Sequence, residues 1–302
     1  MASFRRSRRF QRFLALFVTF LWSTSWVLIK FGLEEIPPVS FAGIRYMLAF
    51  LVLASAVAAN ETRREELRNL RRRDWLHLSA LGILFYSLTQ GAQFMALSLL
   101  PAVTLSLVLS FSPAAVALFG SWFLGERLNH RQWLGVVCFV SGAAVYFLPL
   151  EGPIQTLGLC VAAVGLLAQS SASVLGRAVN RRGNLHPLLV TVVSMGVGSL
   201  LLLATGFAAE GVPRLDASGW SIVLWLAIVN TALAFTIWNH TLRSLTAIES
   251  NLINNTMLVQ IAILAWLFLG EPIQLKEAIG LILAMIGVLV VQLGGNLHDS
   301  PS

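Results

Sequence analysis

The chain consists of long apolar runs separated by short polar links. Cutting it at its charged or Pro/Gly-rich breaks leaves ten runs near the roughly 20 residues that a helix needs to cross a hydrocarbon core of about 30 Å. These predicted spans, numbered 1 to 10 in chain order, cover residues 13–33, 37–59, 75–97, 101–124, 131–149, 154–179, 186–207, 217–242, 247–269 and 274–293. The pattern therefore predicts an all-α integral membrane protein with ten transmembrane helices.

A sequence repeat divides these spans into two sets. Residues 123–126 read Phe-Leu-Gly-Glu, and the same four residues return at 268–271, which is 145 positions later. Other identical pairs on this offset are Gly135 with Gly280, Gly142 with Gly287, Leu97 with Leu242, Ala102 with Ala247 and Val145 with Val290. Chance similarity between Leu-rich segments is the alternative. The shared turn and the glycines in register favour two related halves of five spans each.

The two halves are predicted to be inverted relative to each other. Because five is an odd number, the second half must enter the membrane from the opposite face. If the N-terminus is inside, 17 of the 21 Lys and Arg residues lie on the cytoplasmic side, as the positive-inside rule requires. Both termini are then cytoplasmic. The predicted organisation is a basic N-terminus (1–12), a first five-helix repeat (13–149), a second, inverted repeat (150–293) and a tail (294–302).

Composition and charge exclude several other classes of protein. With 57% hydrophobic and 12% charged residues, the chain cannot cover a soluble surface with polar side chains. The net charge of +7 comes from residues scattered among the links, which argues against a nucleic-acid surface. Cys138 and Cys160 lie inside apolar runs without metal-ligand spacing, so neither a disulfide nor a metal site is expected. No sequence feature calls for a cofactor.

Several motifs resemble a known transporter family. Trp22, Trp26 and Lys30 follow one another at four-residue spacing in span 1, Arg45 follows a proline in span 2, and each half carries a Leu-Gly-Glu turn before a helix rich in small residues. Together they resemble the EamA branch of the drug/metabolite transporter superfamily, most closely the bacterial YddG-type exporters of aromatic amino acids. The resemblance implies a multi-pass protein of the bacterial inner membrane. It also implies a substrate cavity between the halves, lined by spans 1, 3, 4, 6, 8 and 9, with spans 5 and 10 at the periphery.

Polar and aromatic positions indicate which side chains line such a cavity. An uncompensated polar group that faces lipid costs several kcal/mol, so polar residues repeating every three or four positions should face the bundle interior. The predicted cavity residues are Trp22, Trp26, Tyr86, Gln90, Gln93, Ser110, Gln169, Ser173, Trp238, Asn239, Asn251 and Asn254. The alternative for the polar residues is interhelical hydrogen bonding, and for the tryptophans it is the membrane-interface belt.

Charge within the spans is scarce, and no aspartate occurs in any of them. Glu249 and His240 are the only evident groups for proton coupling, and uniport remains the alternative. Backbone features bear on motion, because Pro113 interrupts span 4 and Gly91 interrupts span 3. We expect spans 3, 4, 8 and 9 to gate the cavity, while spans 5 and 10, whose glycine faces allow close helix contact, form a rigid frame and are also the candidate dimer contact.

The pattern favours a secondary transporter that works by alternating access and exports small metabolites. Amino acids with aromatic or hydrophobic side chains are the leading substrates, and other metabolites or drugs are the alternative. A membrane enzyme acting on a lipid-linked substrate is the competing class, but the five histidines are dispersed and no nucleophile–base spacing occurs. A channel lacks support because there is no filter-like repeat. The expected partners are a small-molecule substrate and membrane lipid, without nucleic acid, for a monomer or weak homodimer.

Overall fold

The computed structural model describes residues 8–116, 129–147, 152–181, 185–241, 244–245 and 247–295, and all the regular secondary structure within them is helical. In chain order the helices are α1 (Arg8–Gly32), α2 (Pro38–Ala58), α3 (Glu61–Arg68), α4 (Arg72–Gly82), α5 (Gln90–Leu99), α6 (Ala102–Leu109), α7 (His130–Phe147), α8 (Gly152–Arg181), α9 (Pro187–Glu210), α10 (Ala217–Ala227), α11 (Ala234–Thr241), α12 (Ala247–Phe268) and α13 (Leu275–Gly295). The predicted turn at 123–126 and the end of span 4 lie outside the described residues.

Six helical stretches are long and apolar enough to cross a membrane. They are Arg9–Gly32, Pro38–Ala58, Arg72–Leu99, Ile154–Gly176, Pro187–Glu210 and Ala217–Trp238, and Ala102–Val116 and Ile253–Phe268 are shorter apolar helices. The all-helical, multi-pass prediction is confirmed. The largest difference between the start of a predicted span and the start of its helix is at α1, which begins at Arg8 instead of residue 13. An N-terminal turn that carries arginines has no apolar signal to mark it.

The link after α2 contains a short helix, α3, that the hydropathy pattern did not predict. It forms because Asn60 caps it, accepting a hydrogen bond from the Arg63 N–H at 3.1 Å. Glu61 lies in its first turn and Arg68 in its last, so each charge lies at the end of the helix dipole that has the opposite sign. None of its residues is buried. Local capping and charge therefore favour this helix, and Leu67 packs it against the apolar core.

Two of the long helices contain a π-helical segment. Residues Ile83–Thr89 join α4 to α5, and residues Ile228–Leu233 join α10 to α11. In each wide turn a threonine hydroxyl donates to the carbonyl oxygen five residues earlier, Thr89 to Leu84 and Thr231 to Leu226, both at 2.8 Å. Such segments are rare and are frequent at functional sites. They make these helices irregular at mid-length, where the hydropathy pattern is continuous.

Carboxylates from one half of the chain cap helix N-termini in the other half. Glu210, at the end of α9, accepts from the Val39 and Ser40 amides of α2 at 3.1 and 2.8 Å. Glu66 of α3 accepts from the His186 amide before α9 at 2.8 Å. Glu271 accepts from the Ala102 and Val103 amides of α6 at 2.9 and 3.4 Å. Each carboxylate satisfies N–H groups that a helix leaves unpaired and lies at the positive end of the dipole.

The glycines of α7 and α13 bring these two helices into backbone contact. A methyl group on Gly135 would lie 2.7 Å from the Gly287 carbonyl oxygen, and one on Gly142 would lie 2.7 Å from the Gly280 oxygen. The reverse approaches, from Gly287 and Gly280, are equally close at 2.7 Å. Helices can pack this tightly only where no side chain intervenes. The glycine faces of α7 and α13 therefore pack against each other inside one chain.

Candidate functional site

The most deeply placed charge in the described chain is Arg45, which is 5% exposed and lies in the second turn of α2. Its Nε–H donates to the Thr231 hydroxyl of the second π-helical segment at 3.1 Å. Its guanidinium carbon lies 5.9 Å from the centre of the Phe94 ring and 5.2 Å from that of Tyr46. Among the described residues, no carboxylate forms an ion pair with it.

The next residue of α2 contacts the first π-helical segment. The Tyr46 hydroxyl donates to Gln90 Oε1 at 2.7 Å, one residue after that segment ends. The Tyr46 and Tyr86 rings meet at 5.7 Å in an edge-to-face arrangement. All three side chains are buried. Arg45 and Tyr46 therefore join α2 to both irregular helices, one in each half of the chain.

An aromatic cluster lies between α1 and α11. The Trp22 ring is 5.2 Å from the Trp238 ring and 5.4 Å from the Phe235 ring, both in tilted arrangements. Trp26, one turn further along α1, is 7% exposed and belongs to the main apolar core, as does Tyr86. Trp22 and Trp26 thus both pack against other helices of the chain, and Trp22 is only partly buried.

Asn230 fastens the second π-helical segment to α1. Its amide nitrogen donates to the Leu21 carbonyl oxygen and to the hydroxyl of Ser25, the latter at 2.8 Å. The residue is fully buried, and its Oδ1 has no hydrogen-bond partner. An unpaired buried acceptor is unusual because it carries the full desolvation penalty.

Polar contacts also join α1 to α12. Ser23 donates to Gln260 Oε1 at 2.9 Å, and the Gln260 amide donates to Thr19 at 3.3 Å. Near the starts of both helices, the Arg12 guanidinium pairs with the Glu249 carboxylate at 2.6 Å. Glu249 therefore sits in the first turn of α12 beside a cation, rather than alone in mid-membrane.

The remaining predicted site residues fall into several environments. Ser110 and Ser173 donate to carbonyl oxygens of their own helices at 2.7 and 2.8 Å, as helix-packing serines do. Gln93 and Gln169 are half-buried, whereas Asn254 and His240 are exposed. The side chains of Asn239 and Asn251 lie outside the described part of the structure.

The predicted kinks also have a definite structural setting. Helix α6 ends at Leu109, and helical structure resumes at residue 112, so the break directly precedes Pro113. Gly91 is buried within α5, two residues after the π-helical segment. A methyl group there would lie 3.0 Å from the Leu202 side chain. The irregularity in this helix therefore lies before Gly91, in the π turn.

Two cavities lie away from these side chains. One, of about 200 Å³, opens near the start of α6 and is lined by both polar and apolar groups, including Thr104, Tyr146, Glu271 and Glu277. The other, of about 300 Å³, is an apolar groove between α12 and α13. Within the described residues, no group of three or more His, Cys, Asp or Glu side chains could hold a metal.

The predicted site omitted four buried residues that the structure brings together: Arg45, Tyr46, Asn230 and Thr231. Arg45 had a usable signal, because it is the only charged residue between Pro38 and Ala58. Asn230 and Thr231 also interrupt an apolar run. Tyr46 offered no such signal, since a tyrosine in an apolar helix is equally typical of the interface.

Comparisons with known proteins place this arrangement in a family. The model of the EamA-like transporter family matches residues 10–148 and again residues 156–293. An uncharacterized transporter of Bacillus subtilis, YvbV, is 25% identical over 281 residues, covering 91% of this chain and 89% of that protein. A probable amino-acid metabolite efflux pump of Salmonella typhimurium is 26% identical, covering 92% and 93%. A similarly named Escherichia coli pump is 26% identical over 74% of this chain and 75% of its own.

A solved crystal structure shares the fold, with a TM-score of 0.67 at 23% identity over 95% of this chain and 98% of that one. The apolar helices and these matches define a multi-pass membrane transporter, not an enzyme. The chain belongs to the EamA-like transporter family.

Proposed function

We propose that the protein is a secondary transporter that exports amino acids with aromatic or hydrophobic side chains across the bacterial inner membrane by alternating access. Transport itself follows from the family, and the names of two relatives, amino-acid metabolite efflux pumps, support the substrate class. The direction of transport and the preference for aromatic side chains go beyond what the family and the names of the relatives supply. They rest on the side chains around α1, α2 and the two π-helical segments.

The observation that carries the mechanism is the symmetry of the α7–α13 contact. Gly135 meets Gly287, and Gly142 meets Gly280. The repeat offset of 145 residues relates Gly135 to Gly280 and Gly142 to Gly287. The two contacts are therefore equivalent to each other in the repeat. Cys138 Sγ also contacts the carbonyl oxygen of its own repeat equivalent, Leu283, at 3.3 Å. Contacts of this kind support a local two-fold axis between two inverted halves.

Ten spans with both termini in the cytoplasm fit this symmetry. The second match of the family model begins after an odd number of predicted spans, as an inverted second copy requires. Arg12 and Glu249, near the starts of α1 and α12, would then lie together at the cytoplasmic face. The two halves could rock about the α7–α13 frame and expose a central site to each side in turn.

The substrate class is supported by side chains of α1, α2, α11 and the two π-helical segments. Trp22, Trp238 and Phe235 form a ring cluster suited to an aromatic or aliphatic side chain. Buried polar groups on α2 and the π-helical segments lie in the same region of the helices and could fix the backbone of an amino acid.

Counterflow in proteoliposomes tests the proposal. Vesicles loaded with unlabelled tryptophan, phenylalanine or leucine should accumulate the labelled form of the same amino acid, while empty vesicles and those loaded with uracil or ethidium should not. Exchange of uracil or ethidium without any amino-acid exchange would replace this substrate class with another from the same family. Labelled amino acid should be recovered chemically unchanged.

Topology has a separate test. After Cys138 and Cys160 are replaced by serine, single cysteines at Arg64 and Ser218 are labelled with an impermeant maleimide in intact cells. We expect labelling at Ser218, in the first turn of α10, and none at Arg64 until the membrane is opened. Labelling of both positions from outside would contradict the ten-span arrangement.

A further inference from the structure

A buried guanidinium without a counter-ion needs explanation. Arginine stays charged in proteins and carries five N–H donors in a planar fork. Arg45 uses one of them, the Nε–H to Thr231, and no other hydrogen bond to its guanidinium occurs within the described residues. Holding a charge at membrane depth is costly unless it is paired. The ring of Phe94 compensates only partly, since cation–π contacts contribute about 0.5–2 kcal/mol.

The carboxylates whose contacts the structure gives interact with groups other than Arg45. Glu210 and Glu271 cap α2 and α6, and Glu249 is paired with Arg12. Two buried side-chain atoms of the described chain lack a partner, Gln11 Oε1 and Asn230 Oδ1. Most N–H groups of Arg45 have no hydrogen-bond partner among the described residues, and the residue keeps an exposed fraction of 5%. Its free N–H groups are therefore open to an acceptor that is not part of the protein.

The surroundings of Arg45 favour a carboxylate as that acceptor. A guanidinium binds a carboxylate through two parallel hydrogen bonds, with geometric specificity that an ammonium lacks. Arg45 lies where α2 of the first half meets the second π-helical segment, at the junction between the halves. A cation with unpaired donors at this junction matches the carboxylate of an amino acid.

We propose that the Arg45 guanidinium binds the carboxylate of the transported amino acid. The inference rests on the proposed function for the identity of that ligand. It adds that one named cation, Arg45, recognises the ligand's carboxylate. Loss of the carboxylate should then weaken binding in the wild type, and the loss of Arg45 should abolish the distinction between ligands with and without it.

The test compares acid and amide forms of one ligand. Binding of L-tryptophan and L-tryptophan amide to the purified protein is measured in nanodiscs, together with the R45Q, R45K and T231V variants. In the wild type we expect the acid to bind about 10-fold tighter than the amide, as a charge-assisted hydrogen-bond pair would give. R45Q should weaken acid binding by about 10-fold and leave amide binding within about twofold. R45K should fall between, because it keeps the charge and loses the fork.

The outcomes separate this inference from the proposed function. An unchanged preference for the acid in R45Q, or an equal loss for acid and amide, overturns the role of Arg45. If R45Q does not fold, the T231V variant decides the question, since it retains Arg45 and removes the hydrogen bond that positions it, together with the hydroxyl bond to the Leu226 carbonyl oxygen. It should weaken acid binding a few-fold and leave the amide unaffected, and equal effects on both contradict the inference. If the wild type binds none of tryptophan, phenylalanine and leucine, the proposed substrate class fails, and indole-3-acetate against indole-3-acetamide then tests the carboxylate site in the same preparations.

Discussion

Ile83 and Ile228 each begin a π-helical segment, and they are separated by the 145 residues of the sequence repeat. The repeat therefore includes a backbone irregularity as well as matching residues. Tyr86 and Thr231 also occupy equivalent positions on this offset, one in each segment. Consecutive residues of α2 contact them, Tyr46 through its ring and Arg45 through a hydrogen bond. Both wide turns thus contact neighbouring residues of α2, so a movement of either half would act on α2.

The glycine contact between α7 and α13 predicts a sharp dependence on side-chain size. Gly142→Ala and Gly280→Ala should each destabilise the protein by about 1–3 kcal/mol, because each added methyl group would lie too close to a backbone carbonyl oxygen. Thermal or denaturant unfolding in detergent measures the effect. The matched control is Gly176→Ala in α8, where the nearest atom would be 3.7 Å away. Equal stability of all three variants would contradict the tight frame.

The cap that Glu210 provides for α2 predicts a local effect. Glu210→Ala removes the acceptor for two amides of the first turn, so we expect a loss of about 1 kcal/mol in stability. Hydrogen exchange should accelerate at Val39 and Ser40 in particular. Glu277→Ala is the comparison, since its carboxylate accepts from Gln274 of its own helix start and holds no second helix. If exchange at Val39 stays as slow as in the wild type, the cap does not stabilise this turn.

Much of this fold could be predicted from the sequence because lipid imposes simple rules. The apolar runs predicted the long helices, and the glycine spacing predicted a close helix pair. The π-helical segments could not be predicted in this way, since one extra residue in a turn leaves an apolar run apolar. The site was predicted only in part. The pairing of Trp22 with Trp238 and the hydrogen bond of Gln90 depend on which helices are neighbours, and hydropathy does not specify that.

The pairing of Trp22 with Trp238 predicts coupled effects on substrate affinity. Each tryptophan changed to alanine should weaken binding of an aromatic substrate by about 10-fold if the rings contact it. In the double variant the losses should not add, because the first substitution already disrupts the shared cluster. Trp220→Ala, at an exposed position of α10, provides the control and should bind normally. Additive losses would show that the two rings act independently of each other, and a similar loss in the control would show that the effect is not specific to this cluster.

The placement of Glu249 predicts that it does not set the pH dependence of transport. Glu249 lies in the first turn of α12, and its carboxylate pairs with Arg12 of α1. His240 is exposed. We therefore expect Glu249→Gln and His240→Gln to keep the wild-type pH profile of exchange between pH 5 and 8. The ion pair itself is partly exposed, so its loss should change stability by no more than about 1 kcal/mol. A shift of the profile in either variant would restore proton coupling through that residue.

Helix crosslinks distinguish a moving gate from a rigid frame. With the native cysteines replaced, cysteines at Arg12 and Glu249 join α1 to α12, and restoring Cys138 beside a cysteine at Leu283 joins α7 to α13. The first crosslink should stop exchange, because it fixes helices from opposite halves at the proposed cytoplasmic face. The second should leave most of the exchange intact, since those helices already contact each other through backbone atoms. Reduction of each crosslink in the same vesicles provides the internal control. Continued exchange with α1 and α12 locked together would mean that the substrate path does not open between them.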